Sequence, residues 1–122
     1  MINLLLRDFC QKHKNIYIYG IGEYGTLLAN KFDKYKVKYD GFIQTDKTRS
    51  RHFGKPVYSI IEASKIDNSA VIVGMGAKFT KEIEANLKKY KFLNWLSPFN
   101  IEIAKDELYK RCIDTEANQI WL

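Results

Sequence analysis

Ile2, Leu5, Leu6 and Phe9 recur at i, i+3, i+4 and i+7, the period of one helix face, and predict a short amphipathic opening helix. IYIYG (16–20) is a β-branched and aromatic run that ends at glycine, the mark of a strand. Beyond it, Tyr24, Leu27, Leu28, Phe32 and Tyr35 keep a helical period through about residue 35. VKYDGFI (37–43) alternates, which predicts a second strand. QTDKTRSRHFGK (44–55) is polar, basic and turn-rich, and is expected to be a loop. PVYS (56–59) suggests a brief strand and IIEASKI (60–66) a short helix. After a turn at DNS (67–69), AVIVG (70–74) is expected as a buried strand. Phe79, Ile83, Asn86, Leu87 and Tyr90 fit a helix over about 78–90. FLNWL (92–96) is a last strand closed by Ser97-Pro98, and Ile101, Ala104, Leu108 and Cys112 suggest a terminal helix.

Strands alternate with helices, and two strands are apolar almost throughout. That pattern belongs to an α/β fold with a mostly parallel sheet covered by helices on both faces. Right-handed crossovers then leave few topologies. The expectation is a Rossmann-like three-layer sandwich with about five strands ordered 3-2-1-4-5 and the short 56–58 strand at one edge. No internal repeat, low-complexity tract or linker stands out, so residues 1–122 read as one domain, with a core at about 15–98 and a helical extension over 99–122.

Composition narrows the class. At 122 residues the chain can bury roughly two-thirds of its unfolded surface. Hydrophobic residues make up 46% and charged residues 28%, which excludes a disordered tail. A membrane span needs about 20 apolar residues, and the apolar runs here are far shorter. The opening MINLLLRDFCQKHKN has no basic stretch ahead of its leucines and does not read as a signal peptide. Two cysteines, Cys10 and Cys112, make neither a disulfide framework nor a metal motif, so a reducing cytoplasm is the default compartment. The net charge of +6 is uneven. Residues 31–55 hold eight Lys/Arg against three Asp/Glu, whereas residues 99–122 hold three against five.

The strongest chemical signal is Gly20-Ile21-Gly22-Glu23-Tyr24-Gly25, at a strand end and opening a helix, which is the context the GxGxxG motif requires. Gly20 would permit a tight turn, Gly22 the approach of a phosphate, and Gly25 close packing of helix on sheet. Free amides and the positive end of the helix dipole favour an anion there. A dinucleotide site also wants an acidic residue about 20 positions on, at the tip of the second strand. Counting from Gly25, Gln44 is 19 on and Asp46 is 21 on, so the tip itself carries an amide in place of a carboxylate. Gly74-Met75-Gly76 follows the fourth strand. In the expected order, strands 1 and 4 flank the topological switch point, where ligands bind open α/β sheets, and the two glycine loops would form its walls. Lys78 or Thr80 could meet a phosphate there.

Lys47, Arg49, Arg51, His52 and Lys55 cluster in the loop after the second strand, either as a clamp on a diphosphate or 2′-phosphate or as solvated surface. There is no RRM, KH, zinc-finger or helix-turn-helix pattern, so nucleic acid is not an expected partner. His13 and His52 lack ligands at metal spacing. Cys10 and Cys112 lie on apolar helix sides and read as small core residues. There is no Tyr-x-x-x-Lys pair, G-x-S-x-G elbow or Walker A lysine, and no catalytic constellation is visible.

IYIYGIGEYGTLLANKF, YDGFIQTD, FGKPVYSI, AVIVGMGAKFTKEIEANLKKYKF and LSP follow one another in the order of a known module. Over about residues 15–98 the chain resembles the N-terminal Rossmann-like domain of the sugar O- and N-acyltransferases of the sialic-acid and bacillosamine pathways. It is equally similar to stand-alone or fused nucleotide-sugar-binding domains of bacterial capsule and surface-polysaccharide clusters. The resemblance implies binding of the UDP part of a nucleotide-activated sugar. Gly20, Gly22 and Gly25 match the glycine loop, Gln44 stands where that family usually has aspartate, and Asp46 and Lys47 fall in the polar loop that follows. The hexapeptide repeats of the acyltransferase β-helix are absent after Pro98, so the transferase activity does not carry over.

The expectation is therefore a binding module for a nucleotide or nucleotide-sugar in bacterial glycan assembly. Backbone amides at 21–25 would hold phosphates, Gln44 and Asp46 would touch sugar or base, and Lys78 would add charge. A UDP- or CDP-linked sugar, or NAD, are the candidate ligands. A homodimer or a larger glycan-synthesis enzyme is the candidate partner. One alternative is a non-catalytic interaction module that docks a glycosyltransferase, through an apolar patch on the 1–10 or 101–122 helices. A further alternative is an NAD-dependent oxidoreductase acting on a nucleotide-sugar.

Overall fold

A computed structural model describes residues 2–98. The expected terminal helix, with Cys112 and the apolar Gln119-Ile120-Trp121-Leu122 end, lies outside the described residues. The elements in chain order are α1 (Ile2–Lys12), β1 (Asn15–Tyr19), α2 (Glu23–Lys34), β2 (Gly41–Gln44), β3 (Arg51–His52), β4 (Lys55–Ser59), α3 (Ile60–Ala63), β5 (Ser69–Val73), α4 (Ala77–Lys89) and β6 (Asn94–Leu96). The fold is α/β, built on a mixed six-stranded sheet ordered β3-β4-β2-β1-β5-β6. β4, β2, β1, β5 and β6 run parallel to their neighbours, and β3 is antiparallel to β4.

The sixth strand corrects the expectation of about five. Residues 44–55 are not all loop, because Arg51 and His52 pair with Pro56 and Lys55. The turn between them is Phe53-Gly54, both at positive φ (53° and 71°), as a two-residue type I′ hairpin turn requires. β3 therefore takes the sheet edge, and residues 56–58 lie one strand inside it.

The second strand is also shorter than its alternation suggested. Residues 37–40 are not strand, because their backbone is spent elsewhere. Val37 N–H donates to the Phe32 carbonyl at the end of α2, at 2.8 Å. Asp40 N–H donates to the Ile16 carbonyl at 2.7 Å, and the Asp40 carboxylate accepts the Ile16 N–H at 2.8 Å. Asp40 thus closes the start of β1 rather than lying inside β2. The helix expected over 60–66 ends at Ala63, and the last strand begins at Asn94, not at Phe92.

Alternation along β1 divides the core. Ile16 and Ile18 join Leu28 and Phe32 of α2 and Leu6 of α1 in one buried cluster. Tyr17 and Tyr19 join Ile60 of α3 and Ile83 and Leu87 of α4 in another. Successive strand residues point to opposite faces, so a strand feeding two clusters has no polar face, which is why 16–19 and 70–73 are apolar throughout. Burying each isoleucine or valine side chain among them contributes about 1.5–3 kcal/mol. Among the described residues, no helix is long and apolar enough to cross a membrane.

Candidate functional site

β1 hydrogen-bonds to β2 on one side and to β5 on the other, so the chain changes direction in the sheet between β1 and β5. The loops that leave the carboxyl ends of these two strands are the two glycine loops. Gly20 N–H donates to the Ile43 carbonyl at 2.8 Å, and Gly74 N–H donates to the Tyr19 carbonyl at 2.9 Å, extending the ladder to the first residue of each loop. A cavity of about 310 Å³ opens above them, lined by Gly22, Glu23 and Tyr24 from the first loop and helix, and by Met75, Lys78 and Phe79 from the second. Gly74 and Gly76 also line it.

The glycines divide by what a Cβ would meet. On Gly25 it would fall 2.0 Å from the Gly20 carbonyl oxygen. On Gly74 it would fall 2.8 Å from the Gly25 Cα. Gly20 lies at φ +111°, and a Cβ there would fall 2.9 Å from the Gly74 carbonyl oxygen. These three glycines let three backbone segments interlock. Gly22 differs: a Cβ there meets nothing within 4 Å, and its φ of −82° suits any residue. The open space at Gly22 is the cavity.

Each loop ends in a glycine N-cap. Gly22 caps α2 and Gly76 caps α4, both with extended backbone and neither with a side-chain capping hydrogen bond. Two positive helix termini therefore face one cavity. At the fourth position of each helix stands a threonine. Thr26 Oγ1 donates to the Ile21 carbonyl at 3.3 Å, and Thr80 Oγ1 donates to the Gly76 carbonyl at 3.2 Å. Gly20-x-Gly22-x-x-x-Thr26 thus recurs as Gly74-x-Gly76-x-x-x-Thr80, a repeat of seven residues that sequence reading missed. Its signal was the shared spacing. Thr80 is fully buried with its hydroxyl on that carbonyl and does not line the cavity. Phe79 N–H also donates to the Gly76 carbonyl, at 2.9 Å, which leaves α4 with fewer outward amides.

Tyr24, Met75 and Phe79 make the cavity walls largely apolar. Phe79 is 43% exposed, large for an aromatic side chain, and the Lys78 ammonium lies 5.4 Å from its ring centre. Glu23 and Lys78 contribute one charge of each sign.

Gln44 ends β2, but its side chain is engaged. Its amide oxygen accepts from Thr48 N–H at 3.0 Å and from Thr48 Oγ1 at 3.1 Å, closing the loop after the strand. Neither Gln44 nor Asp46 lines the cavity. Asp46 is exposed, and its charge acts on the Tyr19 hydroxyl; burial foremost, with Asp46 and Glu82 adding, raises that hydroxyl's pKa above its ordinary value. The basic loop is occupied in the same way. Lys47 pairs with Glu62 at 3.0 Å, Arg51 donates to the Gly54 carbonyl, and Lys55 donates to the Tyr39 carbonyl at 2.8 Å with its ammonium over the Tyr39 ring. Arg49 lies 3.5 Å from His52 Nδ1, and His52 Nε2 lies 3.5 Å from Thr26 Oγ1. Burial and then the Arg49 charge lower the His52 pKa. Lys55 ties β4 to Tyr39 and Lys47 pairs with α3, whereas Arg49 and Arg51 contact groups within residues 49–54.

Among the described residues, no group of three or more His, Cys, Asp or Glu is placed to hold a metal. No family model, curated protein or solved structure matches the chain.

Proposed function

We propose that this chain is a binding module for a nucleotide or nucleotide-sugar, with a Rossmann-like three-layer arrangement, that serves glycan assembly. One observation carries the reading: two glycine-capped helix termini, those of α2 and α4, converge on one largely apolar cavity at the point where the chain reverses in the sheet. Helix termini stabilise phosphate oxygens, and an apolar wall suits the flat face of a base. In this reading the amides at the start of α2 hold the phosphates, Tyr24, Met75 and Phe79 receive the base or sugar, and Lys78 adds charge at the rim. Asp46 reaches the ligand only outside the cavity. Gln44 keeps its amide N–H groups for that purpose, since its oxygen is bound to Thr48.

The engaged amide at the β2 tip favours a nucleotide-sugar over NAD. A dinucleotide site places a carboxylate there to grip the ribose diol.

Calorimetry of the full chain with a UDP-sugar, a CDP-sugar and NAD tests the proposal. Saturable binding of one of them is expected. Gly22→Glu should weaken it at least tenfold with the melting temperature nearly unchanged, because the new carboxylate enters open space at an anion site. Absence of binding by all three, or a Gly22→Glu chain that binds as the wild type does, overturns the reading.

A further inference from the structure

α4 carries an apolar stripe of Phe79, Ile83 and Leu87, spaced i, i+4 and i+8. Ile83 and Leu87 are buried in the core, but Phe79 stands in the first turn, beyond the carboxyl end of β5, and lines the glycine crevice. Two phenylalanines are exposed among the described residues. Phe53 is one, and its ring packs beside those of His52 and Phe42. Phe79 is the other, and it shares its cavity wall with Met75. The stripe therefore ends in a ring that gains burial only from what enters the cavity.

The tip of β2 offers no such surface. Gln44 accepts from Thr48, and Thr45 Oγ1 is hydrogen-bonded to the Tyr19 hydroxyl at 2.5 Å. The cavity, of about 310 Å³, stands at the lower end of the about 300–1,000 Å³ of ligand pockets, so it receives one ring system of a nucleotide-sugar and leaves the other outside. A hexose carries hydroxyl groups around its rim, to which Phe79 offers no partner and Met75 only a weak thioether acceptor. Burying those hydroxyls unpaired is costly. A nucleobase keeps its polar atoms at its edge and presents two flat faces, which stack on aromatic rings.

We infer that the cavity takes the base of the nucleotide, stacked on Phe79, while the sugar extends out of it into solvent. The inference rests on the reading of the crevice as a nucleotide-sugar site, and adds that the module selects by base and tolerates different sugars.

The test is calorimetry of the full chain with UDP-glucose, CDP-glucose, GDP-glucose and ADP-glucose, then with the nucleoside diphosphate of whichever binds, and with glucose 1-phosphate. Removing the glucose should change the affinity by less than about fivefold, whereas glucose 1-phosphate, which keeps the sugar and a phosphate, should bind far more weakly than the nucleotide-sugar. Phe79→Leu keeps apolar bulk and removes the ring. It should weaken the nucleotide-sugar and the nucleoside diphosphate alike, by at least about fivefold, the lower end for base–aromatic stacking. Phe79→Tyr keeps the ring and should bind as the wild type does. Because Phe79 is exposed, both variants should melt close to the wild type. In NMR spectra the protons of the bound base should move upfield under the ring current of Phe79, and much less so in Phe79→Leu. A nucleoside diphosphate that fails to bind, glucose 1-phosphate that binds as tightly as the nucleotide-sugar, or a Phe79→Leu chain that binds as the wild type does overturns this inference alone. Absence of binding by all four nucleotide-sugars overturns it together with the reading on which it rests.

Discussion

A Cβ added to Gly74 would stand 2.8 Å from the Cα of Gly25, so β5 and α2 meet at the crevice with no room for a side chain between them. The two residues lie 49 positions apart, and their contact sets how closely the two glycine loops approach. Gly74→Ala and Gly25→Ala should each destabilise the chain by about 1–3 kcal/mol or more, the ordinary cost of overpacking. Alanine inside α2 gains about 1 kcal/mol of helix propensity at Gly25, which is too little to offset a carbonyl oxygen at 2.0 Å. Gly22→Ala should cost no more than about 1 kcal/mol, the difference between glycine and alanine as a helix cap. Urea unfolding of the three variants checks the order; a Gly22→Ala loss as large as the other two contradicts the division of the glycines.

Asp40 binds Ile16 twice, through its amide and its carboxylate, and so anchors the entry to β1. Asp40→Ala should cost about 1.5–3 kcal/mol, the range for a hydrogen bond to a charged group. Asp40→Asn keeps an acceptor for the Ile16 N–H and should cost less. Thermal melts of both variants measure the difference, and equal losses would mean that charge pairing with Lys38 matters more than the backbone bond.

Ser59 and Glu62 form a reciprocal capping box at the start of α3. Ser59 Oγ accepts the Glu62 N–H at 3.1 Å, and the Glu62 carboxylate accepts the Ser59 N–H at 2.9 Å. Ser59→Ala should cost about 1 kcal/mol. The Ser59 amide, and then Lys47, lower the Glu62 pKa below 4.5. A depressed carboxylate contributes stability that is present above its unfolded value and is lost as the pH falls through its folded value. Glu62→Gln should therefore flatten the acid limb of stability against pH below about 4.5, and leave the limb above pH 6 with an unchanged slope. Unfolding free energies across that window provide the check.

Cys10 packs against the core with its thiol pushed up to about 12 by burial, so its thiolate fraction at neutral pH is negligible. In a Cys112→Ser chain, an aromatic disulfide reagent should label native Cys10 roughly a hundredfold slower or more than the unfolded chain, with the rate still rising beyond pH 10. Rapid labelling at pH 7 would place the thiol in solvent.

β1 and β5 were readable because parallel strands buried on both faces are apolar at every position, a pattern that needs no partner to be seen. β3 was not readable. Two polar residues carry no period, and the turn that pairs them holds a phenylalanine at positive φ, a conformation that side chain rarely adopts. Residues 37–40 misled for the opposite reason. Their alternation is that of a strand, yet their backbone groups bond to the end of α2 and to Ile16.

Local chemistry written in the chain determined which segments are helix and strand at the core, that glycine opens α2 and α4, and that basic charge gathers around residues 31–55. Such features depend on neighbours a few positions apart, where period and backbone freedom act directly. Only the tertiary structure decided that residues 20–26 and 74–80 stand together over one cavity, and that Gln44 and the basic loop are spent on internal bonds. Those pairings are set by crossovers that bring distant segments together, and no local pattern encodes which polar groups will already be satisfied when they arrive.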